Sequence, residues 1–94
     1  MPAIAVKELD PTTFEVTVQD RSTTSHVVTV APDYAARLTG GRATTAQLVR
    51  RSFDFLLERE PNTSILRSFN LEVINRYFPE YERAVMAEMA KQGA

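Results

Sequence analysis

Residues 24–38 read TSHVVTVAPDYAARL, and the rhythm of their apolar positions changes once, at Pro32. Before it, His26, Val28 and Val30 share one face of an extended chain and Val27 and Thr29 the other. That alternation is the mark of a half-buried strand rich in β-branched residues. Further back, Phe14, Val16 and Val18 alternate in the same way with Glu15, Thr17 and Gln19. The polar link Asp20-Arg21-Ser22-Thr23 is short enough for a hairpin. Residues 4–9, followed by an Asp10-Pro11-Thr12 turn, read as a strand ahead of these two. The front third is expected to be an antiparallel meander of two or three strands within about residues 3–30.

Beyond Pro32 the helical period takes over, with helices expected within about residues 33–91. Residues 33–38 form a short helix that Gly40 or Gly41 closes in the left-handed conformation. The main helix starts at Thr44, an N-cap with Gln47 three positions on, and runs to about Glu60, where Pro61 stops it. Its Leu48, Val49, Phe53, Phe55, Leu56 and Leu57 cover more than half the circumference, which demands contact on two sides. Two short helical turns follow. Residues 63–69 carry Ile65, Leu66 and Phe69 inward, and residues 71–78, capped by Asn70, carry Leu71, Ile74, Tyr77 and Phe78. A last helix from Glu80 to about Lys91 places Tyr81, Val85 and Met89 on one side, and its Gln92-Gly93-Ala94 tail is expected to fray.

Composition sets outer bounds. With 94 residues, 44% hydrophobic and 24% charged, and neither cysteine nor tryptophan, the chain reads as one small α+β domain over residues 1–94. A chain of this size buries roughly 60–65% of the surface its unfolded form exposes, so its single core is not a generous one. The formal net charge is −1, which argues against nucleic acid as a partner and against an anionic membrane. The charge is unevenly spread. Residues 1–33 hold two cations against five acids, residues 34–78 seven arginines against four acids, and residues 79–94 two cations against three acids. No run approaches the ~18 apolar residues of a membrane span, and the first ten residues lack a basic-then-apolar leader pattern; cytoplasmic residence is the expectation.

The chemistry-bearing residues are few. His26 is the one histidine, and no spacing joins it to a serine and a carboxylate. Thiolates are absent and no Asp-x-Asp or His-x-x-x-His pair occurs, so no metal, no cofactor and no catalytic residue is expected, and the chain reads as a non-enzyme. Thr39-Gly40-Gly41-Arg42, ahead of a helix, offers a weak anion contact through Gly40, Gly41 and Arg42, against the plainer reading of a helix cap and turn. Residues 63–78 loosely suggest two short helices around a turn, in which Arg67, Asn75 and Arg76 would face nucleic acid. Tyr81, Val85, Met86 and Met89 have no obvious cover and are the expected contacts for a protein partner or for a second copy, as in a homodimer. The open strand edge is another such surface. Folding of the last helix back onto the main helix is the competing reading.

Leu38-Thr39-Gly40-Gly41-Arg42, Phe55-Leu56-Leu57-Glu58-Arg59-Glu60-Pro61, Ser64-Ile65-Leu66-Arg67 and Tyr77-Phe78-Pro79-Glu80-Tyr81 resemble, in order and spacing, a group of short hypothetical bacterial proteins. The resemblance covers roughly residues 26–82. It implies a bacterial, cytosolic origin and carries no activity, ligand or functional residue with it.

The function expected from the residues is therefore a non-enzymatic protein-interaction module, self-association included, with nucleic-acid binding around residues 67–76 as the alternative. The fold rests on the main helix covering the meander. Phe55→Ala or Leu56→Ala should accordingly cost about 2–5 kcal/mol. Thermal melts check this, and a shift no larger than that of a surface control would refute the central placing of the helix.

Overall fold

A three-stranded sheet with one apolar face is marginal in water until something covers it, and the architecture follows from that need. The computed structural model describes residues 3–92; Gly93 and Ala94, where the frayed tail was expected, lie outside that range. Strands β1 (Ala3–Asp10), β2 (Thr13–Gln19) and β3 (Thr23–Thr29) form the antiparallel meander. Helix α1 (Pro32–Thr39) and helix α2 (Thr45–Leu57) follow, then a short 3-10 turn over Asn62–Ser64. Strand β4 (Ser68–Asn70), a 3-10 turn over Leu71–Val73, α3 (Ile74–Tyr77) and α4 (Tyr81–Gln92) complete the described chain.

The sheet has four strands in the order β1-β2-β3-β4, and it is mixed rather than a pure antiparallel meander. Strand β4 lies parallel to β3, with Val28 opposite Phe69, and the Val27 amide donates to the Arg67 carbonyl at 2.7 Å. Parallel neighbours need a crossover rather than a hairpin, and α1 and α2 supply it. This corrects the expected helix over residues 63–69. Ile65, Leu66 and Phe69 suit a helix face as well as an extended one, and three residues are too few to display a period of two.

The alternation in β2 and β3 places Phe14, Val16, Val18, His26 and Val28 on one buried face, joined by Val30 just past β3. Helix α2 lies on it and buries Leu48, Val49, Ser52, Phe53, Phe55 and Leu56. Its start is the expected capping box: the Gln47 amide donates to Thr44 Oγ1 at 3.1 Å, and the Thr44 amide to Gln47 Oε1 at 2.8 Å. It ends at Leu57, before the expected Glu60, because Pro61 drives the residue before it out of helical conformation. The Arg59 guanidinium closes that end by donating to the Phe55 carbonyl at 3.1 Å and lying 3.6 Å from the centre of the Phe55 ring. Pro32 opens α1, and Gly40, at φ +62°, ends it in the left-handed conformation.

The second side of α2 is covered by α4, so the last helix folds back. Tyr81, Val85 and Met89, one stripe of α4, are buried in the chain's own core, and of the four expected partner contacts Met86 alone stays exposed. Ser52 explains why α4 fits so closely. It is a small residue in the apolar stripe of α2, and its hydroxyl donates to the Leu48 carbonyl at 2.8 Å. The Tyr81 hydroxyl therefore donates to Ser52 Oγ, at 2.6 Å. Burial raises the Tyr81 phenol above its ordinary range, which keeps it a donor. Tyr81→Ala should cost about 3–5 kcal/mol in urea unfolding, as large buried aromatics do, and Tyr81→Phe about 0.5–1.5 kcal/mol. Surface-like behaviour of Tyr81→Ala would contradict the docking of α4.

Candidate functional site

Between Pro61 and Phe78 the chain is a strap of short elements, β4 among them, laid across the end of α2 and along β3. Asn62, Ile65, Leu71 and Ile74 point inward and are buried. Leu66 and Tyr77, read from sequence as inward, stand out at 50% and 68% exposure. Too short to form two helices, the strap cannot turn all its apolar residues to one side. Between its limbs and α2 opens a cleft of about 370 Å³, lined by Leu56, Ile65, Leu66, Phe69, Val73 and Tyr77, with Glu60 and Ser64 as polar members. Its size and mainly apolar wall are those of a binding groove. Among the described residues, the side chains of Glu60, Ser64 and Tyr77 have no hydrogen-bond or ion-pair partner.

The strap is fastened by polar bonds at its inner side. Asn62 Nδ2 donates to the Ser22 carbonyl and to Thr24 Oγ1, both at 2.9 Å. His26 Nδ1 lies 2.7 Å from the Leu66 carbonyl, which only accepts, so Nδ1 carries the proton. Nε2 is then the acceptor, and the Thr24 hydroxyl donates to it at 2.9 Å. Strand, turn and strap are thereby joined in one chain of donors and acceptors. The His26 ring also packs on Phe53 with centroids 5.4 Å apart, and Phe53 on Phe69 at 6.1 Å. At 1% exposure, with both nitrogens engaged, His26 is closed to a substrate and serves as a tie.

A second, polar groove lies between α1 and the start of α4. Arg37 grips Glu82 with both terminal nitrogens, at 3.3 and 3.2 Å, and the Tyr34 hydroxyl donates to Glu82 Oε2 at 2.9 Å. The Arg37 guanidinium holds the Glu82 carboxyl below its ordinary value, while burial and the bond to Glu82 push the Tyr34 phenol up. These groups are spent on one another and tie α1 to α4.

The structure separates the residues that sequence had grouped. The Gly40 amide donates to the Ala36 carbonyl, the Gly41 amide to Thr39 Oγ1 and the Arg42 amide to the Thr39 carbonyl. The amides that would cradle an anion at Gly40, Gly41 and Arg42 are thus consumed by the cap and turn. Arg67, Asn75 and Arg76 are not on a helix pair. Arg67 precedes β4, Asn75 and Arg76 sit in the single turn α3, and Asn75 Oδ1 accepts from the Glu82 amide at 3.3 Å. No second helix of reading length is formed there, which corrects the helix-turn-helix geometry. No group of three or more metal-ligating side chains occurs among the described residues. No described helix is long and apolar enough to cross a membrane. The signal that could have located the cleft is Pro61 at one end of the strap and Pro79 at the other, which leave the apolar residues between them too little helix to pack on.

No protein-family model matches the chain, and neither a curated protein nor a solved structure is significantly similar to it.

Two outcomes follow. Asn62→Ala leaves the Ser22 carbonyl without that donor and should cost about 1–3 kcal/mol in chemical denaturation; a neutral result would deny the strap its fastening. Glu82 has a lowered folded-state value, so its share of stability is complete above the unfolded value near 4.5 and fades as the pH falls through the folded value. Asp10, held down by the Thr12 amide, acts in the same direction. Melting temperature should fall on acidification below about pH 4.5, and Glu82→Gln should flatten that fall. An unchanged acid limb in Glu82→Gln would contradict the assignment.

Proposed function

We propose that this chain is a non-enzymatic protein-interaction module and that the cleft of the 61–78 strap is its docking surface. The carrying observation is the exposure of Leu66 and Tyr77 in the wall of an apolar groove, in a chain whose other large apolar residues are mostly buried. Contiguous exposed apolar surface on a small domain costs solubility, and a docking role accounts for it. Aromatic and aliphatic side chains around a concavity are also the usual composition of an interaction hot spot. The α4 face, first expected to be that surface, is taken up internally by Tyr81, Val85 and Met89. Bacterial origin and cytoplasmic residence belong to the same reading and rest on sequence resemblance alone.

Peptides selected from a random display library on the full chain test the docking reading. They should perturb amide resonances of Leu66, Phe69 and Tyr77, and Leu66→Asp should weaken them at least ~10-fold with little change in melting temperature. Selected peptides that map to another surface, or that ignore Leu66→Asp, would overturn it.

A further inference from the structure

The chemistry around the cleft specifies its occupant more closely. Glu60 is half-buried in the cleft wall, and its carboxylate has no ion pair or hydrogen bond to any described residue. Its acidic neighbours differ: Arg59 reaches Glu58 at 3.5 Å and Glu80 at 3.6 Å. An unpaired carboxylate in a mainly apolar groove favours an occupant with an apolar side chain next to a cation. The strap itself carries such a unit in sequence. Leu66 lines the cleft rim at 50% exposure, and the next residue, Arg67, is exposed and without an ion pair among the described residues. A surface holding a groove with a free anion beside a protruding apolar residue with a free cation is complementary to itself. Self-complementarity is the condition for a two-fold, isologous contact, in which residue i meets j′ and j meets i′.

We infer that the cleft is occupied by a second copy of this chain, with Leu66 of each copy seated in the other's groove and Arg67 of each paired with Glu60 of the other. This rests on the docking reading above and names its partner. Two Glu60–Arg67 pairs flank two reciprocal Leu66 insertions, and Tyr77 on each rim packs over the seated residue.

Sedimentation equilibrium of the full chain over a wide concentration range tests it. The weight-average mass should climb toward twice that of the monomer. Glu60→Arg and Arg67→Glu should each weaken pairing at least ~10-fold, because each places two like-charged pairs in the interface. An equimolar mixture of the two variants should restore it, since both cross-pairs then have opposite charges. Glu60→Gln, which removes the charge alone, should weaken pairing less than Glu60→Arg. Melting curves establish that each variant is folded.

A wild-type chain that stays monomeric throughout, or a mixture no more associated than its folded components, would overturn the inference. Peptides still mapping to the cleft in that case leave the docking reading standing with a different partner. Peptides mapping elsewhere overturn the docking reading itself.

Discussion

Helix α2 has apolar residues on more than one side, and the structure depends on both sides being covered at once. On the sheet side Phe53 packs on His26, with centroids 5.4 Å apart, while Phe55 meets Phe78 and Tyr81 edge-on, with centroids 5.9 and 5.3 Å apart. Neither layer is sufficient alone. The meander is too small to hold an apolar face in water, and a 12-residue α4 is marginal as an isolated helix. Two half-stable layers thus share one helix. The polar atoms that enter this core do so in pairs: Ser52 with Tyr81, and His26 with Thr24 and the Leu66 carbonyl. No described buried side-chain nitrogen or oxygen is left without a partner.

The strap follows from that arrangement. Once α2 is sandwiched, the chain leaving it at Pro61 must return to α4 across the helix end. It does so by pairing three residues with β3, tying Asn62 to the β2–β3 turn and the Leu66 carbonyl to the buried His26. Inward residues are then fixed by the core, and Leu66 and Tyr77 are left outside for the same geometric reason. The cleft is thus a by-product of packing that leaves Leu66 and Tyr77 exposed in its wall.

The sequence made the larger elements legible and the short ones not. Alternation in 13–19 and 24–30, the Thr44–Gln47 capping box and the Gly40 stop each act within a few residues, so their local signals were sufficient. The main helix could be read as two-sided from Leu48 to Leu57. The partner of its second side could not, because Ser52 looks like a polar interruption until the Tyr81 hydroxyl is seen to use it. Strand β4 depends on a neighbour about 40 residues earlier, and nothing within Ser68-Phe69-Asn70 announces that neighbour. The candidate site was the least legible feature, since exposure of Leu66 and Tyr77 is decided by tertiary contacts of Asn62, Ile65 and Ile74, and helical spacing pointed the other way.

The 61–78 strap belongs to the folded core, joined to β3 and to the buried His26. Native-state amide hydrogen exchange at Val27 tests this most directly, because that amide donates to the Arg67 carbonyl at 2.7 Å. Val27 should exchange only through global unfolding, at the same free energy as the α2 amides of Phe53 and Leu56. Exchange at Val27 as fast as in the exposed turn at Ser22, with α2 still protected, would show a detached strap and contradict the account.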